Sequence, residues 1–233
     1  MMHLLNFMLR PITLVFITVM LFISCEKEID RNNIDEDKIV MLTFDDGPDG
    51  KYTPLILDVL KNEKVKATFF LVGNNMVKYP SVTKRIFDEG HSIGNHTTDH
   101  LHLLKQSFKS VYPNIMFTQN LIDSLYGGSH KIFRPPWGLI TKNQRDSLER
   151  QGFKIILWDI SSKDWSKSHT SDMIFDEVVD RINHETPHKI ILLHSADYRL
   201  KDGRMNTVIA LPKIIKILRY EGYVFMTVDE LTN

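Results

Sequence analysis

Two adjacent carboxylates, Asp45 and Asp46, follow the apolar run Ile39 to Phe44 and precede Gly47-Pro48. Neighbouring side chains on a strand point to opposite faces. The pair can therefore serve one site only where the strand breaks, and a Gly-Pro turn breaks it. Asp-Asp-Gly-Pro is also ordinary turn chemistry and by itself says no more than that. Further along, His96 and His100 stand at i and i+4. On a helical turn that spacing puts both imidazoles on one face at metal-binding distance. The pair alone is commonplace. Joined by one carboxylate and a water it suits a catalytic zinc ion, which lowers the pKa of the water and polarises a carbonyl. The second carboxylate is then free to act as a base. Arg134, in front of Pro135-Pro136, is either a surface charge or the partner that orients a carboxylate. Asp164-Trp165 and His194 complete the polar set.

The elements that must carry these residues alternate. Strand-like runs are Ile39-Phe44, Ala67-Val72, Lys131-Phe133, Lys154-Trp158, Lys189-Leu193 and Tyr223-Val228. Helical spacing of apolar residues predicts helices over Thr53-Glu63, Ser81-Glu89, Ser107-Tyr126, Thr141-Gln151, Ser171-Glu185 and Asn206-Glu221. Thr53-Pro54 is a plausible cap and first position, and Thr141 with Gln144 forms a capping pair. Pro113 must start a new helix or kink the one it is in, and the last helix is interrupted near Pro212. The pattern predicts an α/β domain with a parallel sheet covered by helices, and leaves open whether the sheet is flat or closed. Asp45-Asp46, the histidine pair, Arg134, Asp164 and His194 each follow a different strand. In a parallel sheet the strand ends share one edge.

The chain has 233 residues, enough for one domain with a sizeable core, and 29 basic against 29 acidic residues. That balance gives no net field toward nucleic acid, and no strong basic block appears. Arg10 and the nearly unbroken apolar run Ile12 to Ile23 suit the core of a secretory signal, being short for a membrane span. Phe22-Ile23-Ser24-Cys25 resembles a bacterial lipoprotein cleavage box. That resemblance implies a signal peptide over 1–24 and lipidation of Cys25, the only cysteine. An uncleaved anchor is the alternative. Residues 25–37 then form a hydrophilic tether with too few apolar residues to fold. The expectation is a protein exported to the periplasmic or cell-surface side of a bacterial membrane and anchored there by lipid.

Six motifs occur in order. They are Thr43-Phe44-Asp45-Asp46-Gly47-Pro48, Ala67-Thr68-Phe69-Phe70, Gly94-Asn95-His96-Thr97 through His100, Phe133-Arg134-Pro135-Pro136-Trp137-Gly138, Asp164-Trp165 and Leu192-Leu193-His194. Together they resemble the polysaccharide deacetylase family, the NodB-like carbohydrate esterases. The resemblance covers about residues 38 to 231, so 38–233 reads as a single catalytic domain. It implies a distorted (β/α) barrel. It also implies roles: Asp45 as base, Asp46, His96 and His100 as ligands of a divalent metal, most often Zn2+, and Arg134 as the group that holds Asp45. The backbone N–H of Trp137 would stabilise the oxyanion. Asp164 would tune His194, and His194 would protonate the leaving amine. Trp165 and Leu192 would form the acetyl pocket. His91 reads as structural. Two positions depart from the family pattern, Ser161 and Ser195, where the family usually has acids; they bear on the electrostatics around His194.

The activity implied is metal-dependent hydrolysis of acetyl groups from N-acetylated sugars of a polysaccharide or oligosaccharide, such as peptidoglycan or a chitin-like glycan. An O-acetyl esterase acting on xylan or a similar polymer uses the same site. A non-catalytic glycan-binding protein is the third reading, and the presence of Asp45, Asp46, His96, His100 and His194 argues against it. The sequence holds no rule for the glycan or the oligomeric state.

Overall fold

In the computed structural model, residues 38–128, 130–182, 188–196 and 204–232 are described. The expected signal peptide, Cys25 and tether lie outside these residues. No helix among the described residues is long and apolar enough to cross a membrane.

Strand β1 (Ile39–Asp45) is buried along its whole length, as a continuous apolar run in a parallel sheet should be. One of its edges pairs with β7 (His188–His194) from Ile39↔His188 to Asp45↔His194. Its other edge is shared in succession by β8 (Val224–Phe225), at Ile39 and Val40, and by β2 (Thr68–Leu71), at Thr43 and Phe44. Beyond β2 come β3 (Ser92–Asn95), β4 (Ile132–Phe133) and β5 (Lys154–Ile155), and β7 is followed by β6 (Ile160–Ser161). All these pairings are parallel. The two ends of the sheet, β5 and β6, are joined by residues 156–159 alone. Five residue steps span at most about 17 Å, so the sheet must curl until its edges approach. No pairing of β5 with β6 is seen among the described residues. The result is the expected distorted barrel, with a seam between those strands.

Helices α1 (Tyr52–Asn62), α2 (Gly73–Lys78), α3 (Pro80–Asp88), α4 (Phe108–Tyr126), α5 (Lys142–Arg150), α6 (Ser171–Ile182), α7 (Met205–Tyr220) and α8 (Val228–Thr232) surround the sheet. The main core lies between the strands and α1, α6 and α7, with Leu42, Phe44, Ile56, Leu60, Ile191, Leu211 and Ile214 without solvent contact. Each such side chain contributes about 1.5–3 kcal/mol by leaving water.

Several elements differ from the pattern read in the sequence. The strand expected over Lys154-Trp158 ends at Ile155, and β6 intervenes before Asp164. The last strand is two residues long, and α8 takes over at Val228. A short helix absent from that pattern, α2, opens at Gly73. Neither proline interrupts its helix: α4 runs through Pro113 and α7 through Pro212. A proline inside a helix costs about 3 kcal/mol. In α4 the buried face Val111, Ile115, Thr118 and Ile122 flanks the proline, and in α7 Ala210, Leu211, Ile214 and Ile215 do, so packing offsets the lost bond. The α5 capping box is present, with Gln144 N–H donating to Thr141 Oγ1 and Thr141 N–H to Gln144 Oε1. At α1 the cap position is Lys51, not Thr53, and the first N–H groups are met by Asp49. Its Oδ1 accepts from the N–H groups of Lys51, Tyr52 and Thr53. Thr53 Oγ1 instead donates 3.0 Å to the Ser195 carbonyl, tying the β1 and β7 loops together.

Candidate active site

The parallel register places Asp45 beside His194 at the ends of adjacent strands. The other polar residues follow β3, β4 and β6 on the same edge. At that edge one cleft of about 500 Å³ is formed by Asp45, Asp46, His96, His100, Trp137, Trp158, Ser161, Trp165, Leu192 and His194, while Arg134 and Asp164 are buried and not part of its lining. All three tryptophans of the chain stand on its wall. Trp137 and Trp165 are about half exposed, whereas Leu192 is buried.

The histidine pair is not on a helix. After β3 the chain turns through left-handed backbone at Thr97 (φ 66°) and His100 (φ 57°). Asp46 (φ 71°) and Trp137 (φ 56°) share that conformation. It is costly for a β-branched residue such as Thr97, and such strain persists only where the surroundings over-determine it. Here Thr97 N–H donates to Asn95 Oδ1, Leu101 N–H donates to Thr97 Oγ1, and Gly73 N–H donates to the Thr97 carbonyl. The two imidazoles converge because the loop is held from outside, not because of helical spacing.

The convergence gives a metal-type donor set. His96 Nδ1 lies 2.7 Å from the Arg134 carbonyl. A carbonyl only accepts, so in the neutral ring Nδ1 carries the hydrogen and Nε2 keeps its lone pair. That Nε2 is 3.5 Å from Asp46 Oδ1, and His100 Nε2 is 3.2 Å from the same oxygen. Asp46 Oδ1 is buried without a hydrogen-bond partner. Ligand bonds of the length zinc makes to nitrogen and oxygen give a tetrahedron with edges of about 3.4 Å. The residues fit a divalent cation. Burial would push the Asp46 carboxyl up, but the adjoining imidazole of His96 and the nearby His194 and His100 hold it far below the usual carboxylate range. Asp46 is thus the anionic form a metal requires.

One oxygen of Asp45 is held by Arg134. The Arg134 guanidinium is wholly buried. Its Nη1 donates 2.8 Å to Asp45 Oδ1 and 2.8 Å to Thr43 Oγ1, Nη2 donates to the Leu157 carbonyl, and Nε to the Ile156 carbonyl. Burial lowers the guanidinium pKa, and the charge and hydrogen bond of Asp45 offset only part of that. The other carboxylate oxygen, Oδ2, is left toward the cleft, 3.8 Å from His96 Nε2.

Behind the opposite wall Asp164 is buried and grips His194 twice. Its Oδ1 accepts from His194 Nδ1 at 2.7 Å and its Oδ2 from the His194 N–H at 2.8 Å. Burial opposes ionisation of Asp164, but the charge and hydrogen bonds of His194 and the charge of Arg204 outweigh it, so its pKa is lowered. The His194 pKa is raised: burial alone would depress it, and the Asp164 charge and hydrogen bond, with Asp46, reverse the sign. Ser195 Oγ lies against Gly47 and 3.4 Å from the Asp45 carbonyl. Ser161 Oγ accepts from the Lys163 N–H.

Trp137 is packed edge-on against His100, with centroids 4.2 Å apart, and stacks obliquely on His102 at 5.1 Å. Gly138 (φ 70°) follows, and a Cβ there would lie 2.7 Å from the Trp158 ring. Only glycine lets that wall close. Thr43, Trp158, His102, Arg204 and Thr207 were not marked as site residues by sequence reasoning. Thr207 carried a readable signal, a polar residue on the face of α7 that also presents Ala210, Leu211 and Ile214. His91, by contrast, sits far from the cleft as a structural residue, its Nδ1 accepting from Ala67 N–H.

A peptidoglycan-N-acetylglucosamine deacetylase of Bacillus cereus is 41% identical over 192 residues, 82% of this chain and 67% of its own length. The peptidoglycan-N-acetylglucosamine deacetylase PgdA of Listeria monocytogenes is 35% identical over 195 residues; the chain spans 39% of that protein's length. The crystal structure of a peptidoglycan N-acetylglucosamine deacetylase superposes with a TM-score of 0.76 at 41% identity, covering 82% of this chain and 86% of that one. A family model described as polysaccharide deacetylase matches residues 32–156, from before the paired carboxylates to just past β5. With these motifs set on one edge of the same barrel, the chain belongs to the polysaccharide deacetylase family.

Proposed function

We propose that this protein is a hydrolase that removes acetyl groups from the N-acetylated sugars of peptidoglycan or a similar glycan, using a divalent metal, most simply Zn2+. The observation that carries the reading is the division of the paired carboxylates: Asp46 faces two imidazoles and Asp45 faces an arginine. The names of the similar proteins support peptidoglycan as the substrate class.

Asp46, His96 and His100 would hold the metal. Once bound, it supplies a water of lowered pKa and polarises the acetyl carbonyl. Asp45, fixed by Arg134, takes the proton from the attacking water through Oδ2. The backbone N–H of Trp137, set in its left-handed turn, points a donor at the developing oxyanion. Leu192 and Trp165 enclose the acetyl methyl. His194, kept protonated by Asp164, gives its proton to the leaving amine, which departs poorly without one. The open, tryptophan-walled cleft suits a sugar chain lying across it, since aromatic faces match the apolar faces of sugar rings.

The same carbonyl chemistry would serve an O-acetyl ester. The test is acetate release by the metal-stripped chain, with and without added zinc, from N-acetylglucosamine oligomers and from O-acetylated xylan. Zinc-dependent release from the oligomers is expected; no release from any N-acetyl glycan would sink the reading. We further infer export and lipid anchoring through Cys25, on the strength of Phe22-Ile23-Ser24-Cys25 after an apolar run. Mass spectrometry of the N-terminus of the membrane-associated protein checks it, an unmodified Cys25 being the contrary result.

A further inference from the structure

The acid side of the cleft is braced from a helix that carries none of the family motifs. The Asp164 carboxylate accepts a third hydrogen bond, its second at Oδ2, 2.8 Å from Thr207 Oγ1. Thr207 lies in the first turn of α7, and Arg204 is the residue that caps that helix. Arg204 has no exposure to solvent. Its Nη1 donates 2.7 Å to the Asp164 carbonyl and stands 3.8 Å from Asp164 Oδ1, while its Nε donates 3.0 Å to the Ala196 carbonyl.

These contacts have a direction. A carboxylate is free to rotate about its last torsion unless both oxygens are held. His194 Nδ1 occupies Oδ1, and Thr207 with the His194 N–H occupies Oδ2. Removing the Thr207 hydroxyl leaves Oδ2 with one described donor and loosens the plane that aims the imidazole. Arg204 acts on the backbone. It joins the loop after β6, at Asp164, to the loop after β7, at Ala196, two residues past His194. Acid and partner are thereby fixed to one rigid helix start. A buried arginine is costly to keep, and its removal leaves two buried carbonyls short of a donor.

We propose that Arg204 and Thr207 are positioning residues for protonation of the leaving group, acting on His194 through Asp164. This rests on His194 being the acid of the reaction. The buried pair could also serve folding alone, and the two roles separate by leaving group. An amine needs a proton to depart. The para-nitrophenolate of an aryl acetate does not. A folding defect slows both substrates together, whereas a misaimed His194 slows only the amide.

The experiment uses the full-length, zinc-loaded chain and the variants Thr207→Val, Thr207→Ser and Arg204→Lys, with zinc content measured on each. Thr207→Val is expected to lower kcat on N-acetylglucosamine oligomers about tenfold with KM little changed, and to leave para-nitrophenyl acetate hydrolysis within about twofold. Thr207→Ser restores the amide rate. Arg204→Lys, which keeps the charge but not the fork, follows Thr207→Val. Equal losses on both substrates, or no loss on the amide, would overturn the proposal. A second readout needs no substrate and stands even if the glycan reading fails: the downfield proton resonance of His194 Nδ1–H bonded to Asp164, assigned by its loss in His194→Gln. It should shift or broaden in Thr207→Val and return in Thr207→Ser. An unchanged resonance in Thr207→Val contradicts the brace.

Discussion

Arg134 Nη1 and Asp45 Oδ1 lie 2.8 Å apart, and the guanidinium that makes the contact is entirely removed from solvent. The same guanidinium also serves Thr43 and the carbonyls of residues 156 and 157, so it ties the ends of β1 and β5 together while it orients a carboxylate. A lysine offers one point charge and cannot reproduce that fork. Arg134→Lys should therefore lower kcat by about a hundredfold, as expected of a carboxylate moved from its working geometry. It should also cost about 1–3 kcal/mol of stability from unpaired buried acceptors. Steady-state kinetics and denaturant unfolding check both; an unaltered kcat would show that Asp45 needs no such hold.

Much of this site can be read from the chain because its chemistry sits at strand ends. Asp45-Asp46, Arg134 and His194 each close or follow an apolar run, whereas His96 follows Ser92–Asn95, a strand with one large apolar residue that the pattern does not reveal; parallel strands bring all these ends to one edge. The rest depends on contacts between distant residues. The spacing of His96 and His100 matches a helix as well as it matches the observed loop. What selects the loop is Asn95 Oδ1 on the Thr97 N–H and the backbone of Gly73 on the other side. Pro113 and Pro212 look like breaks, and burial of their helices overrides them. Arg204 looks like any surface charge in front of a helix; only the closed fold shows it enclosed.

The His194 pKa is raised by Asp164, so the protonated ring persists to higher pH than for an ordinary histidine and is lost as pH rises through that raised value. Asp164→Asn removes the negative charge and keeps the shape. The alkaline limb of the pH profile for kcat on the amide should then move to lower pH. Measuring that profile for both proteins decides it; a limb that stays in place would mean that another group controls it.

At the other end of the barrel His91 is buried, with its pKa lowered to about 3 by burial first and by Lys66 and Arg85 next. The folded protein holds this ring neutral while the unfolded chain takes up a proton below the ordinary histidine value of 6.5. Stability from this group is complete above that value and falls as pH drops toward about 3, by about 1.4 kcal/mol per pH unit. His91→Gln should unfold with a shallower acid dependence than the parent. Denaturant melts one pH unit apart in the mildly acidic range measure it, and parallel slopes in the two proteins would contradict the assignment.

The most direct test is to measure bound zinc and acetate release on the same samples of the parent protein, Asp45→Asn and Asp46→Asn. The account assigns the two neighbours different work: Asp46 holds the metal and Asp45 moves the proton. Asp45→Asn should keep its zinc and lose about a thousandfold in kcat on N-acetylglucosamine oligomers. Asp46→Asn should lose zinc and activity together. An Asp45→Asn protein that still releases acetate at the parent rate, or that loses its zinc while Asp46→Asn retains it, would contradict the division on which the mechanism rests.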